Sequence, residues 1–270
     1  MDNLKYNYLD DYLEQLRSKG KYSFTIKGIK NELNVSDEAI KKSIQRLKKK
    51  SRVELIRKGF YVIITPEYRN RGVVPPILFI DSLMKYLDRR YYVGLLNAAA
   101  NYGAAHQQPQ EFFVITEKPS MRSIKNKKLS LNFCFKKDWS DKDINKINTE
   151  TGYVNISTPE LTSLDLIYYQ DRVGGLNRVT TILAELVDEI KPDKLMMTLE
   201  RFNYIASVQR LGYLLENKIK NFNLANVVRE FLSDKKYYPV LLKQQKGKVN
   251  GKKASNFWKV VPNIEIESDI

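Results

Sequence analysis

The chain has only one cysteine and one histidine among its 270 residues. One cysteine, Cys134, excludes an internal disulfide, and with a single histidine it also excludes the ordinary zinc sites built from several Cys and His ligands. No segment approaches the ~18 uninterrupted apolar residues that a membrane-spanning helix needs. The start MDNLKYNYLDD carries acids where a signal peptide needs a basic start followed by an apolar block, so we expect no secretory signal. We therefore expect a cytoplasmic protein without a structural metal, a cofactor or a membrane span.

Acidic residues are also scarce. The chain has 46 Lys and Arg but 31 Asp and Glu, so its net charge is +15. The excess is clustered: Ser36 to Lys58 has nine basic residues and three acids, Lys118 to Lys137 has seven and none, and Lys235 to Lys259 has eight and none. Such clusters are typical of proteins that bind nucleic acid, although a lysine-rich surface that is merely solvated is the alternative.

The first eighty residues follow the order of a winged helix-turn-helix. Apolar residues at helical spacing predict a helix near residues 3–19, and Thr25 is placed to cap a short second helix. Ser36 is placed to cap a third helix, which ends at about Ser51. Residues 53–65, VELIRKGFYVIIT, read as a hairpin with Gly59 in its turn. In this arrangement the third helix enters the major groove and the wing contacts phosphates or the minor groove.

The predicted DNA contacts are polar or basic residues on the outward face of the third helix and at the wing tip. They are Ser36, Lys41, Lys42, Gln45, Arg46, Lys49, Arg57 and Lys58. The alternative is a winged helix used for contact with another protein.

A second domain is predicted after the Gly72 to Pro76 linker, so that the domains are residues 1–72 and 76–270. Its first half alternates predicted helices with short strands: helices at Leu78 to Leu87 and Tyr91 to Ala105, and strands at Phe112 to Thr116, Leu129 to Phe135 and Tyr153 to Ile156. From Ser157 the pattern is helical, with either Ser157 or Thr158 as the first cap. The fold class is therefore α+β: a winged helix-turn-helix followed by a mixed domain with a small sheet and a helical half.

No catalytic residue is predicted. The nucleophile elbow, the Walker loop and the Rossmann glycines are absent, and one histidine cannot supply HExxH. The acids of DWSDKD, Asp138, Asp141 and Asp143, are explained by turn and capping roles. His106 has no acid or nucleophile nearby in sequence, which favours a hydrogen bond to the backbone over a role as general base.

Four segments nevertheless carry a family resemblance. YYVGLLNAAANYGAAHQQPQEFFVIT, STPELTSLDLIYY, GGLNRVTTILAEL and NYIASVQRLGYLLE, preceded by the winged helix, resemble the AbiEi-type antitoxins of bacterial abortive-infection and type IV toxin–antitoxin systems. The similarity runs from residue 4 to about 262, and the AAxxxGxxHQQPQ segment is its most specific part.

The resemblance implies a phage-defence antitoxin that represses its own operon by binding inverted repeats in the promoter. It also implies a nucleotidyltransferase-like toxin, countered through the C-terminal domain without a stable complex between the two proteins. His106, Gln107 and Gln108 match the family motif, where they are expected to be structural.

The basic residues outside the winged helix suggest that the second domain also contacts phosphates. The predicted contributors are Arg122, Lys125, Lys127 and Lys128. Two other hypotheses remain open: an enzyme acting on nucleic acids or nucleotides whose winged helix locates the substrate, and an antagonist that binds an acidic toxin.

Overall fold

The computed structural model describes residues 8–104, 109–126, 128–245, 254 and 256–266. The chain divides into two compact units. The first contains residues 1–91, 116–135 and 146–155, and the second contains residues 92–115, 136–145 and 156–270. The domain boundary at residues 72–76 stays a prediction, because compactness alone does not identify the parts that fold independently. The fold is α+β, as predicted.

The first unit begins with the elements expected of a winged helix-turn-helix. They are α1 (Tyr8–Ser18), β1 (Ser23–Thr25), α2 (Ile26–Glu32), α3 (Asp37–Lys49), β2 (Val53–Arg57) and β3 (Phe60–Ile63). The strands form an antiparallel sheet in the order β1-β3-β2. Strand β1 was not predicted; it pairs Phe24 with Tyr61, whose rings stack at 5.3 Å.

A single apolar cluster holds these elements together. Leu9 and Leu13 of α1, Ile29 of α2, and Ile40 and Leu47 of α3 are all at most 1% exposed. Truncating such a residue to alanine typically costs about 2–5 kcal/mol. The three helices therefore keep fixed positions, and each turns its remaining face to solvent.

A six-stranded sheet has the order β6-β7-β5-β4-β9-β8. Its strands are β4 (Tyr91–Val93), β5 (Phe112–Thr116), β6 (Ile124–Lys125), β7 (Ser130–Phe135), β8 (Ile144–Thr149) and β9 (Gly152–Ser157). Strands β6 and β7 form an antiparallel hairpin, and β4 runs parallel to β9 with Val93 opposite Ile156. Helix α4 (Ile80–Tyr86) precedes the sheet, and α5 (Leu95–Asn101) connects β4 to the segment before β5.

The single helix predicted from Tyr91 to Ala105 is wrong at its start. Residues Tyr91 to Val93 form a strand, and the helix begins only at Leu95. Two tyrosines and a valine favour a strand, and Gly94 separates it from the alanine-rich helix. A Cβ on Gly94 would lie 3.0 Å from Ile115 Cγ1, so this approach to β5 favours glycine.

The second unit has a helical half. Its helices are α6 (Pro159–Tyr168), α7 (Leu176–Leu186), α8 (Pro192–Arg201), α9 (Ile205–Leu214), which continues into a π-helical turn (Leu215–Ile219), and α10 (Phe222–Ser233). Thr158 caps α6 by accepting a hydrogen bond from Leu161 N at 3.3 Å, which decides between the two predicted caps. Helix α6 is buried on nearly every side and forms the centre of this half.

Two short parallel strands, β10 (Val240–Leu241) and β11 (Val260–Val261), end the described chain. Over the described ranges, no helix has both the length and the apolar character needed to cross a membrane.

Candidate nucleic-acid interface

Helix α3 has two chemically distinct faces. Its buried stripe is Ile40, Ser43, Ile44 and Leu47. The Ser36 hydroxyl accepts a hydrogen bond from Ala39 N at 3.4 Å, as expected of the cap, and Ser43 Oγ is 2.8 Å from Tyr8 Oη on α1. These contacts fix the rotation of α3 about its axis and leave its opposite face to solvent.

That opposite face carries most of the predicted contacts. Lys41, Lys42, Gln45 and Lys49 are exposed, and Arg46 is half-buried. Two of the cations have carboxylate partners: Lys42 Nζ lies 2.8 Å from Glu38 Oε1, and Arg46 Nη2 lies 3.7 Å from Asp10 Oδ2. Exposed ion pairs of the Lys42 type are worth at most about 1 kcal/mol, so a phosphate can replace the glutamate.

The wing differs from the prediction in how its two cations are held. Lys58 is exposed, and its carbonyl accepts a hydrogen bond from Tyr86 Oη at 3.1 Å. Arg57 is half-buried, and the pairing of β2 with β3 is irregular between Leu55 and Arg57. Such a bulge re-aims the side chains beside it.

The Arg57 side chain turns towards the chain itself. Its Nη2 donates to the Arg122 carbonyl oxygen, and its guanidinium carbon lies 5.6 Å from the centre of the Phe133 ring. Burial lowers the pKa of Arg57. Its Nε is buried and has no hydrogen-bond partner among the described residues.

The second predicted basic cluster lies on the β6–β7 hairpin and the loop before it. Arg122, Lys125 and Lys128 are exposed, whereas Lys127 lies outside the described residues. The Asn126 Oδ1 atom accepts hydrogen bonds from the backbone N–H groups of Lys128 and Leu129, both at 2.8 Å. This short turn presents Lys125 and Lys128 to solvent.

A pocket that sequence reasoning missed lies beside these residues. It measures about 270 Å³ and is lined by Arg57, Leu87, Arg89, Met121 and Arg122. We call it the arginine pocket. Arg89 follows α4 and donates from Nη1 to the Lys118 carbonyl oxygen at 2.6 Å. Nothing in the sequence distinguishes Arg89 from its neighbour Arg90, because only the tertiary fold brings the former to Arg57.

The second unit contains a buried ion pair. Lys136 is 2% exposed and its Nζ lies 2.6 Å from Oδ1 of the fully buried Asp165. The other carboxylate oxygen, Oδ2, accepts a hydrogen bond from Tyr92 Oη at 2.6 Å. The Lys136 ammonium also lies 4.7 Å from the centre of the Phe202 ring. This carboxylate is satisfied on both oxygens and is shielded from solvent, which suits a structural role.

Asp143 anchors a second buried network. It accepts hydrogen bonds from Thr198 Oγ1 at 2.9 Å and from Arg201 Nε at 3.0 Å. Only a turn or capping role was predicted for Asp143, because its partners lie more than fifty positions further along the chain. The space beside Lys136 and Arg201 measures about 10 Å³, which is room for one water molecule. Across the described parts of the chain, no group of three or more His, Cys, Asp or Glu residues is arranged to hold a metal ion.

Both buried networks lie in a segment that matches a known family. Residues 92–217 match the model of the AbiEi antitoxin C-terminal domain. We call this matched segment, residues 92–217, the AbiEi domain. The predicted family resemblance is therefore confirmed for these residues.

The AbiEi domain range also includes two sets of predicted residues. Arg122, Lys125 and Lys128 lie within the matched range but in the first compact unit. The motif residues His106, Gln107 and Gln108 lie within the match as well, but outside the described residues.

The fold of nearly the whole chain, and not only of the AbiEi domain, is similar to that of a solved structure. The crystal structure of the RV2827C protein from Mycobacterium tuberculosis aligns with a TM-score of 0.65 at 14% identity, covering 96% of this chain and 92% of that one. At this identity the likeness concerns the fold alone. No curated protein matches the sequence.

Proposed function

We propose that this protein is the antitoxin of a bacterial type IV toxin–antitoxin system that aborts phage infection, and that it represses its own operon. The AbiEi domain supports an antitoxin role in abortive-infection systems. Repression would follow from binding of the winged helix to inverted repeats in the promoter. The proposed site of action is the cytoplasm.

One observation carries the DNA-binding part of this proposal: the basic face of α3 is the face that its core packing leaves exposed. Lys41, Lys42, Gln45 and Lys49 are the proposed groove contacts, with Arg46 beside them. Ser36 lies at the N-terminus of α3, where a backbone or side-chain contact to phosphate is favoured. Lys58 is the proposed contact of the wing tip.

The hairpin cluster is proposed as a second contact with the duplex. Arg122, Lys125, Lys127 and Lys128 would bind backbone phosphates and position the protein without reading bases. Arg57 would act through the arginine pocket instead of as a free wing residue, because its guanidinium already donates to the Arg122 carbonyl.

For the toxin, we propose a nucleotidyltransferase-like partner that is countered without a stable complex. No catalytic role is assigned to any residue. His106, Gln107 and Gln108 are proposed to be structural residues of the AbiEi domain.

The first experiment measures binding of the pure protein to its own upstream DNA and to a scrambled duplex across a range of salt concentrations. We expect a preference for the upstream DNA of about 10³ or more. Equal affinity for the two duplexes at every salt concentration would refute operator recognition.

Matched variants then assign that preference to α3. K41Q/K49Q removes two proposed contacts, and K194Q/K220Q removes two exposed lysines of the second unit. The first pair should lower the preference for the upstream DNA by about tenfold or more, because a groove contact to a base edge is worth about 1–3 kcal/mol. The second pair should leave the preference unchanged; equal losses for both pairs would mean that only net charge matters.

Toxin neutralisation is tested separately by co-expressing the protein with the proposed nucleotidyltransferase-like toxin. K41Q/K49Q should still protect cells, because the proposed neutralisation uses the AbiEi domain. Co-purification of the two proteins at moderate salt would instead favour a direct antagonist.

A further inference from the structure

The arginine pocket is built from three segments of the first unit that are distant in sequence. Arg57 ends strand β2, Leu87 and Arg89 follow α4, and Met121 and Arg122 belong to the loop after β5. The pocket thus lies directly beside the wing, one residue from Lys58.

Its charges are not balanced by the surrounding protein. Among the described residues no carboxylate pairs with Arg57, Arg89 or Arg122 within salt-bridge distance, and the lining contains no acid. Arg57 and Arg89 donate to carbonyl oxygens, those of Arg122 and Lys118. Carbonyl oxygens orient a guanidinium without neutralising its charge.

Arg57 has in addition a donor that the protein leaves unsatisfied. Its Nε is buried and has no partner among the described residues. An unpaired donor on a partly desolvated cation is costly, and an anionic acceptor relieves that cost. A buried polar atom without a partner is rare in folded proteins, and a bound ion is one of the features that account for it.

The side chains favour phosphate among the anions. The planar guanidinium matches the oxygens of a phosphate in a bidentate manner, which a lysine cannot do. Leu87 and Met121 add apolar surface, which suits the sugar that accompanies a backbone phosphate.

We propose that the arginine pocket is a phosphate-binding site, and that it takes a backbone phosphate of the duplex that the wing approaches. Arg89 then contacts the phosphate directly. Arg57 holds the wing against the loop that contains Arg122, so that the wing and this loop contact the same strand of the DNA. This inference rests on the proposed DNA binding, and it adds a defined site to it.

The test compares R89Q with R90Q, which removes the same charge at the adjacent, exposed position. Binding to the upstream duplex is measured by fluorescence anisotropy across salt concentrations. R89Q should lower affinity about tenfold, as expected for one charge-assisted hydrogen bond, and should reduce the salt slope by about 0.9 relative to R90Q. Equal affinities and slopes for R89Q and R90Q would overturn the inference.

A second variant guards against a folding artefact, since Arg89 also holds the Lys118 carbonyl. R122Q removes an exposed side chain but keeps the backbone carbonyl that Arg57 uses. It should reproduce the loss seen with R89Q while its melting temperature stays that of the wild type. Loss of binding only in variants that also melt earlier would overturn the inference.

Single methylphosphonate substitutions in the duplex locate the phosphate. At one position beside the wing, neutralising the phosphate should lower the affinity of the wild type for the duplex. The same substitution should not lower the affinity of R89Q, which already lacks this contact. If no position behaves in this way, the pocket does not bind the duplex backbone.

Inorganic phosphate distinguishes the source of the ligand. The melting temperatures of the wild type, R89Q and R122Q are measured with and without phosphate at constant ionic strength. If phosphate raises only the melting temperature of the wild type, and all three proteins bind the duplex equally, the pocket binds free phosphate and not the duplex. The proposed repressor function can be wrong while the pocket still binds a backbone phosphate. In that case the scrambled and upstream duplexes would bind with equal affinity, and R89Q would still lower the affinity for both.

Discussion

The two compact units use their cationic side chains in different ways. In the second unit, buried Lys136 pairs with Asp165, and Arg201 pairs with Asp143. In the first unit, the cations of α3 lie mostly in solvent, and those of the arginine pocket meet neutral carbonyls. Lys136 and Arg201 therefore stabilise the fold, whereas the cations of the arginine pocket remain available to an anion.

The largest expected effect is that of breaking the buried pair in the AbiEi domain. D165A leaves the Lys136 ammonium and the Tyr92 hydroxyl buried without their acceptor. We expect the free energy of unfolding to fall by about 3–5 kcal/mol, measured by urea denaturation. The control D171N changes an exposed acid and should stay within about 0.5 kcal/mol.

The double variant K136M/D165L sharpens this result. Replacing both charges by apolar groups should cost much less than D165A, because no uncompensated charge remains. A double variant as unstable as D165A would mean that packing, and not the ion pair, governs this site.

The next largest effect concerns the wing. Gly59 has a φ of +81°, and a Cβ there would lie 2.6 Å from Tyr86 Oη. Gly103 has a nearly equal φ of +80°, and no atom of the described residues lies within 4 Å of an added Cβ, so it is a matched control. G103A should cost about 1–2 kcal/mol for its backbone strain. G59A should cost roughly 1–3 kcal/mol more in thermal unfolding, because of the clash.

Removal of the Tyr86 hydroxyl tests that explanation. Y86F should recover part of the loss in G59A and none of the loss in G103A. Equal stabilities of G59A and G103A would show that Tyr86 does not hold the wing tip.

A smaller effect is expected at the cap of α3. S36A should lower stability by about 1 kcal/mol, because Ala39 N loses its acceptor. S36D should restore the cap but weaken DNA binding, since it adds a negative charge to the proposed interface. If S36D binds DNA as tightly as the wild type, the start of α3 does not approach the phosphates.

The smallest effect is a local pKa shift. The hydrogen bond from Lys30 lowers the pKa of Asp37, with smaller contributions from the charges of Lys30 and Lys41. Any stabilisation from this pair is present above the ordinary carboxyl pKa and is lost as the pH falls through the lowered value. In an NMR titration K30Q should raise the pKa of Asp37, whereas K27Q should not.

The local features were predictable because they depend on neighbouring residues. The caps at Thr25 and Ser36 and the turn at Gly59 are where the sequence places them, and their signals span only a few positions. The helical half was also predictable, since each helix repeats its apolar residues at helical spacing.

The remainder depends on contacts between distant residues. Strand β4 was mistaken for the start of a helix because three residues are too few to establish a period, and its sheet neighbours are distant in the sequence. Lys136 and Asp165 are 29 positions apart and Arg57 and Arg122 are 65 apart, so no sequence pattern joins them. The pocket and the buried networks therefore emerge only from the tertiary structure.

The buried Cys134 has a practical consequence for all of these experiments. It is 3% exposed, so thiol reagents have little access to it in the folded protein. A cysteine introduced at an exposed position such as Lys58 would then be the single reactive thiol. Fluorophores or spin labels can thus be attached at one chosen site to follow the wing, without first replacing a native residue.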